Sequence, residues 1–113
     1  MNMNNNLTNI TIPESVTSIR AWAFKDCINL PSITIPDNVL CISGDAFSFM
    51  RGRFTKLILS PKTRLIQRGA FVLCNINELI IPYNCETLFE KGAFTKCSIN
   101  MVKIPKGYKL LRS

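Results

Sequence analysis

The dipeptide Ala-Phe returns four times along this chain of 113 residues at nearly constant intervals. Successive copies are 23, 24 and 23 residues apart. Self-similarity with a fixed period of roughly 20 to 50 residues is typical of stacked repeat architectures. One repeat cannot bury its own apolar face, so several must stack around a shared core. The copies are Ala23-Phe24, Ala46-Phe47, Ala70-Phe71 and Ala93-Phe94.

Each Ala-Phe pair lies between two further landmarks. A soft apolar residue, cysteine or methionine, follows each phenylalanine by three positions. An Ile-Pro pair precedes it, except in the third repeat, which has Leu59-Ser60-Pro61 instead. These landmarks predict a polar tail, residues 1–6, followed by one repeat domain, residues 7–111. The repeats within that domain are 7–29, 30–53, 54–75, 76–98 and a partial fifth, 99–111.

The segment before each proline predicts a short strand. In the first repeat the apolar residues Leu7, Ile10 and Ile12 are separated by polar ones, as in a strand with one buried face. Pro13 then ends the strand because it has no N–H to donate to a sheet. Since 47% of the residues are apolar, the solenoid can fill its core without a metal or cofactor. Stacked coils should bring the four repeat phenylalanines into one internal ladder of rings.

The composition argues against catalysis. Histidine is absent, which removes the commonest general base and the commonest zinc ligand. No glycine-rich phosphate loop and no repeated carboxylate pair is visible, so we predict a protein that is not an enzyme and needs no cofactor. The first six residues lack the features of a signal peptide, and no apolar run approaches the roughly 20 residues needed to span a bilayer. On these grounds the chain is cytoplasmic or is a piece of something longer.

The repeat as a whole resembles the BspA-type leucine-rich repeat. The pattern is Leu-x-x-Ile-x-Ile-Pro-x-x-Val-x-x-Ile-x-x-x-Ala-Phe-x-x-Cys in residues 7–27, and the resemblance extends to residue 111. It implies a β-rich solenoid, a right-handed coil with short parallel strands and about 23 residues per repeat. It also implies binding rather than catalysis. Members are common as surface or secreted proteins of mucosal bacteria and protist parasites, where they bind host matrix proteins or other cells.

The resemblance predicts a protein-interaction or adhesion module that presents its strands to a host protein or to a second copy. End-to-end association through exposed terminal coils is expected as well. By alternation, Ile58, Ile80 and Met101 should form an exposed apolar stripe on adjacent coils, and contiguous exposed apolar residues indicate a contact surface. The candidates for partner binding are Thr11, Thr34, Lys56, Ile58, Glu78, Ile80, Met101 and Lys103.

The basic charge suggests an alternative function. The net charge is +7, and residues 51–113 hold twelve of the fourteen basic residues but only three of the seven acidic ones. Such a balance attracts polyanions, either a glycosaminoglycan or nucleic acid. Little aromatic interleaving and no known motif disfavour nucleic acid, and an ordinary solvated face would carry the same charges. Besides the basic C-terminus, the polyanion candidates are Arg51, Arg53, Lys62, Arg64 and Arg68.

The five cysteines are an odd number, which argues against a complete disulfide framework. Cys27, Cys74 and Cys97 share one repeat position with Met50, so we expect soft hydrophobes that pack in the core. Cys74 and Cys97 could come within disulfide distance, although parallel ladders usually point both sulfurs the same way. The paired spacing of a Cys₄ zinc site is missing. Cys41 falls on an outward position and is either a reactive surface thiol or an inert, partly exposed one.

Overall fold

The structure, a computed structural model, describes residues 11–24, 30–47 and 53–105. In this part of the chain, eight strands alternate between long and short and form two four-stranded sheets. Every strand pairs with the strand two positions away in sequence, and every pairing is parallel. The chain is therefore a parallel β-solenoid, as the repeat pattern predicts.

One sheet contains the long strands. The register aligns Ile33, Leu57, Leu79 and Val102, which are 24, 22 and 23 residues apart. This spacing equals the period of the Ala-Phe repeat, so each repeat forms one coil. In their order across the sheet, the long strands are β2 (Leu30–Thr34), β4 (Arg53–Ile58), β6 (Asn75–Ile80) and β8 (Ser98–Lys103).

The second sheet contains strands of only two residues. Their second residues are Ile19, Ile42, Ile66 and Phe89, of which the three isoleucines are fully buried. Their first residues point outward or are half-buried, so the sheet covers the core with one side chain per coil. In order across the sheet, the short strands are β1 (Ser18–Ile19), β3 (Cys41–Ile42), β5 (Leu65–Ile66) and β7 (Leu88–Phe89).

The repeat phenylalanines form the predicted ladder in the core. Ring centroids are 4.7 Å apart between Phe24 and Phe47, 4.7 Å between Phe47 and Phe71, and 5.0 Å between Phe71 and Phe94. The rings are nearly parallel, with interplanar angles of 4°, 11° and 5°. The alanine before each ring has no bulk beyond Cβ, which lets adjacent coils approach closely enough for stacking. The ladder is confirmed.

The residue before each Ala-Phe pair adopts a left-handed backbone conformation. Its φ is 62° at Trp22, 63° at Asp45, 76° at Gly69 and 87° at Gly92. Backbone hydrogen bonds connect these positions from coil to coil, from Trp22 N to Asp45 O (2.8 Å) and from Gly69 N to Gly92 O (2.9 Å). For a residue other than glycine, the left-handed region costs about 1–2 kcal/mol. The hydrogen-bond ladder therefore enforces one backbone shape on four different residues.

Two polar residues of the third coil are buried, and both have hydrogen-bond partners. Thr63 takes the place of a valine, and its hydroxyl donates to the carbonyl of Val39 in the coil below at 2.7 Å. Ser60 is likewise buried, and its hydroxyl donates to Asp37 Oδ1 at 2.7 Å. A buried hydroxyl with a partner avoids the cost of an unmet hydrogen bond, so the divergent repeat still stacks.

The core is open at the β8 side of the described residues. Val102 and Ile104 are 54% and 52% exposed, although Leu79 at the equivalent position in β6 is buried. The expected end-to-end association would involve these side chains, and it stays a prediction. The residues of the N-terminal tail lie outside the described part of the chain. Where the structure describes the chain, no helix has the length and apolar character to cross a bilayer.

Candidate protein-interaction face

The outward side chains of the long-stranded sheet form two parallel rows. The first row is Thr34, Ile58, Ile80 and Lys103, which are direct register partners on successive strands. Ile58 and Ile80 are half-buried and adjacent, so they make an apolar pair at the middle of the row. We call this row the isoleucine row. Thr11 is exposed and precedes the buried Ile12 as Thr34 precedes Ile35.

The second row runs beside the first and is charged. It consists of Ser32, Lys56, Glu78 and Met101, again direct register partners. We call it the charged row, and the two rows together the strand face. Met101 therefore lies beside Glu78, and the residue that follows Ile80 in the isoleucine row is Lys103. The register corrects the predicted apolar stripe, which is continuous only from Ile58 to Ile80.

Glu78 connects the two rows. Its Oε2 lies 3.0 Å from Lys103 Nζ, and its Oε1 lies 3.8 Å from Lys56 Nζ. The hydrogen bond from Lys103 lowers the pKa of Glu78, desolvation opposes it, and the charges of Lys103 and Lys56 add to the lowering. Oε1 is screened from solvent and has no hydrogen-bond partner, so Lys56 is held by charge alone. One carboxylate thus pairs with two lysines beside the isoleucine pair.

A third exposed row was not predicted by alternation. Thr55, Asn77 and Asn100 lie one residue before the charged row, and Asn100 Nδ2 donates to Asn77 Oδ1 at 2.9 Å. The row exists because two outward residues, instead of one, separate the buried Phe54 from the buried Leu57. The Leu-x-x-Ile pattern at the start of each repeat already indicates this row. Its two apolar residues are three positions apart, whereas strict alternation would place them two or four apart.

The comparison with known proteins agrees with this geometry. The family model described as BspA type Leucine rich repeat region matches residues 2–113 with six copies of the repeat. The chain belongs to the BspA-type leucine-rich repeat family. No curated protein and no solved structure matches it. Repeats of this type generally form protein-interaction modules, and the BspA-type solenoid is typically non-enzymatic.

The predicted polyanion residues are spread around one coil of this BspA-type solenoid. Lys62 and Arg64 are exposed before β5, and Arg68 is exposed after it. Within residues 11–24, 30–47 and 53–105, the ion pairs are those of Glu78, so the side chains of these three cations form no ion pair there. The Glu90 carboxylate accepts a hydrogen bond from the backbone N–H of Arg68 at 2.8 Å. Arg53 is described only through its backbone in β4, and Arg51 lies outside the described residues. Charge on this coil is therefore available to a ligand.

A recess on the fourth coil adds a cation that the sequence reasoning missed. Arg68, Lys91, Gly92 and Thr95 line a space of about 320 Å³. Lys91 immediately precedes the left-handed Gly92, as Arg68 precedes Gly69, so repeat alignment puts both cations at the same position on adjacent coils. That alignment was visible in the sequence and would have identified Lys91.

Two cysteines of the repeat position lie in adjacent coils. Cys74 is buried and Cys97 is half-buried; Cys97 Sγ donates to the Phe71 carbonyl at 2.6 Å. The hydrogen bond with Cys97 and burial raise the pKa of Cys74, whereas the hydrogen bond from Cys74 lowers the pKa of Cys97. Both are free thiols, as is the half-buried Cys41 in β3. The reactivity proposed for Cys41 stays a prediction, and Cys27 and Met50 lie outside the described residues.

The described residues contain no group of three or more metal-ligating side chains. The strand face offers an apolar pair, charged side chains and amides, which are the groups found at protein recognition surfaces. Its chemistry therefore fits the binding role that the family implies.

Proposed function

We propose that this chain is a non-enzymatic binding module that recognises a protein partner on its strand face. The observation that carries the proposal is the Ile58–Ile80 pair, which lies beside Lys56 and Glu78 and is followed in its own row by Lys103. Solenoids of stacked repeats use such aligned side chains as extended binding surfaces. The family supports an interaction module, and the residues that form the contact are our assignment.

The layout matches the anatomy of protein interfaces. Such interfaces have an apolar centre that becomes fully desolvated and a polar rim that stays accessible. Here the isoleucine pair would form the centre, and the exposed Asn77, Asn100 and Thr34 would form the rim. Two lysines surround one glutamate, so the face has one excess positive charge. A partner with an apolar anchor and an acidic rim would complement it.

We further propose that the role is adhesion, with the chain at a cell surface or secreted and the partner a host matrix protein or another cell. The support for this step is the family resemblance alone. A second copy of the chain is the other partner to test, because Met101 in the strand face, and Val102 and Ile104 next to it, expose apolar surface.

The test replaces both isoleucines by threonine. Thr34 already occupies the isoleucine row, so the row accepts threonine without loss of β-branching. The matched control is Leu88→Thr, because Leu88 is 63% exposed on the other sheet. Binding to a panel of immobilised matrix proteins, and to the chain itself, would be measured by surface plasmon resonance.

Full burial of an isoleucine contributes about 1.5–3 kcal/mol, but Ile58 and Ile80 are already half-buried and threonine keeps one methyl group. Each substitution should therefore weaken binding by roughly threefold to tenfold. The Leu88→Thr variant should bind like the unchanged chain. Equal binding by the isoleucine variant and the unchanged chain, with both folded by circular dichroism, would rule out the isoleucine row as the contact.

Polyanion binding is a second candidate function, supported by the side chains of Lys62, Arg64 and Arg68, which form no ion pair within the described residues. The recess beside Arg68 and Lys91 would hold a sulfate or phosphate group. Binding to heparin should then fall steeply with salt, because each neutralised phosphate or sulfate releases counterions. Passage through a heparin column at low salt without retention would exclude this function. Retention unchanged in Arg68→Ser with Lys91→Ser would exclude the recess.

A further inference from the structure

The Ala-Phe turn of the fourth coil carries two backbone donors without an acceptor. In the third coil, Gly69 N donates upwards to Gly92 O at 2.9 Å, and two residues later Phe71 N donates to Ala93 O at 3.0 Å. The equivalent donors of the fourth coil are Gly92 N and Phe94 N. Within residues 11–24, 30–47 and 53–105, no group accepts from either of them. Because Gly69 and Gly92 share the left-handed conformation, these two N–H groups point away from the third coil.

Two cations stand beside these donors. Arg68 extends from the third coil past Gly92, where its Cγ lies 3.3 Å and its Nε 3.9 Å from the position of an added Cβ. Lys91 is exposed and directly precedes Gly92, and with Thr95 these residues line the recess of about 320 Å³. The exposed Glu90 carboxylate is also nearby, since it accepts from Arg68 N at 2.8 Å. Two cations against one anion leave an excess of positive charge beside the N–H groups.

A larger, apolar recess begins at the same turn. It has a volume of about 500 Å³ and shares Gly92 and Thr95 with the smaller recess. The rings of Phe89 and Phe94 are only half-buried here, whereas Phe47 inside the ladder is fully buried. The core of the fourth coil is therefore open beside the backbone donors. The apolar side chains that line the recess are Leu79, Ile81, Phe89, Ala93 and Phe94.

Together these features define the chemistry of a ligand. The backbone donors need an oxygen acceptor, and the cations favour one that carries negative charge. The apolar recess needs an apolar group attached close to that oxygen. A sulfate or phosphate ion alone would leave the apolar recess unused. The same face of a second copy would bring donors against donors and cations against cations.

The C-terminus of a peptide supplies both groups, a carboxylate and the last side chain beside it. Capture of a C-terminal carboxylate by backbone N–H groups is a recurring mode of peptide recognition. We infer that the fourth Ala-Phe turn, residues 92–95, binds the C-terminal carboxylate of a partner protein whose aliphatic last side chain enters the apolar recess. Gly92 N and Phe94 N donate to the carboxylate, and Arg68 and Lys91 complement its charge. The inference rests on the proposed role as a protein-binding module, but the site is separate from the strand face.

The test is a titration of the isotope-labelled chain followed by the nuclear magnetic resonance signals of its backbone amides. The probe is the N-acetylated peptide Gly-Ser-Gly-Ser-Leu with a free carboxylate. We expect the amide signals of Gly92 and Phe94 to move as the site fills, because each N–H gains a charged acceptor. The amide signals of Ile58 and Ile80 should stay in place.

Two matched peptides separate the polar and apolar halves of the site. The same peptide with a C-terminal amide lacks the charge, and a peptide that ends in serine lacks the apolar side chain. Each should bind about tenfold more weakly, because a hydrogen bond to a charged group and the burial of one leucine side chain each correspond to roughly that factor.

Variants of the chain locate the charge. Arg68→Ser with Lys91→Ser should weaken binding by roughly threefold to tenfold, because exposed charge pairs contribute modestly. Lys62→Ser with Arg64→Ser removes the same charge from the third coil and should leave binding unchanged. Replacing both isoleucines of the isoleucine row by threonine should also leave it unchanged. A failure of the strand face as a contact is therefore distinguishable from a failure of this site.

Four results would overturn the inference. The first is an absence of movement in the Gly92 and Phe94 signals at millimolar peptide. The second is equal binding of the leucine peptide and of its amide or serine counterpart, because the carboxylate or the recess would then contribute nothing. The third is binding that appears only in Tyr108→Ser with Leu111→Ser, because residues of the chain itself would then occupy the recess. The fourth is movement caused by sodium sulfate but not by the leucine peptide, which would assign the turn to polyanion binding.

Discussion

Replacing Phe47 by alanine tests how much the stacked phenylalanine rings contribute to the stability of the fold. Phe47 is fully buried and lies in the middle of the ladder. It stacks on Phe24 and on Phe71 at 4.7 Å, and it meets the edge of Phe54 at 5.7 Å with an angle of 66°. The substitution removes three aromatic contacts and leaves a cavity between rigid coils.

The expected loss in the free energy of unfolding is near the top of the usual range for phenylalanine-to-alanine changes in cores. Phenylalanine-to-alanine changes in cores cost about 3–5 kcal/mol, and aromatic pairs add about 0.5–1.5 kcal/mol each beyond buried area. The neighbouring coils are held by backbone ladders and cannot collapse into the space, so we expect about 4–5 kcal/mol. A domain of this size has a total stability of roughly 6–17 kcal/mol. The variant should therefore fold, but only marginally.

The comparison variant is Phe94→Ala. Phe94 is half-buried, stacks only on Phe71 at 5.0 Å, and meets Phe89 in a tilted arrangement at 6.0 Å. Phe94→Ala should lower the free energy of unfolding by about half as much as Phe47→Ala, roughly 2 kcal/mol. Phe47→Leu keeps most of the apolar volume and should cost less than about 2 kcal/mol.

The assay is equilibrium urea unfolding followed by far-ultraviolet circular dichroism, with free energies obtained by linear extrapolation. The reasoning fails if the two alanine variants lose the same stability within error. It fails as well if Phe47→Ala loses less than about 1 kcal/mol, because the ring would then not be confined by its neighbours.

Three further predictions concern the coil backbone and the charged row. Leu73 is 66% exposed and has a left-handed backbone with φ of 64°. Leu73→Gly should relieve the strain of that conformation and stabilise the fold by about 0.5–1 kcal/mol in urea unfolding. A loss of stability would show that Leu73 is not strained. Gly92 has φ of 87°, and an added Cβ would lie 3.0 Å from Thr95 Oγ1, so Gly92→Ala should destabilise by about 1–2 kcal/mol. Glu78 has a lowered pKa in the folded chain, so its stabilising effect is complete above its ordinary value of 4.5 and is lost as pH falls below it. Thermal melts of Glu78→Gln should show a weaker pH dependence in that range, and identical profiles would exclude the bridge to Lys103.

The core could be predicted from the sequence because each buried position recurs in every repeat. The phenylalanine ladder and the buried Ile33, Leu57 and Leu79 follow from periodicity alone, since stacking superimposes equal positions. The same logic aligns Ile80 with Lys103, once repeats are aligned on their Ile-Pro pairs. Alternation within one strand does not reveal that Ile80 lies next to Lys103, because it carries no information about the register with the neighbouring strand.

Other features had no sequence signal. The left-handed position is occupied by Trp22, Asp45, Gly69 and Gly92; the glycines and, more weakly, Asp45 suggest a positive φ, but Trp22 does not. The lean of Cys97 towards the Phe71 carbonyl depends on a side-chain rotamer, which residue type does not determine. The bridges of Glu78 depend on register between three strands, which emerges only when the coils are stacked.

The ladders have a consequence for how the chain folds. The register pairs of both sheets, and the stacked rings, join residues about one repeat apart in sequence. Each new coil must therefore close a loop of similar length, so the entropic penalty for adding a coil is about the same everywhere along the array. Folding can start at whichever two neighbouring coils first dock and then spread in both directions. Fraying should begin at the outermost coils, and amide protons between β4 and β6 should exchange last.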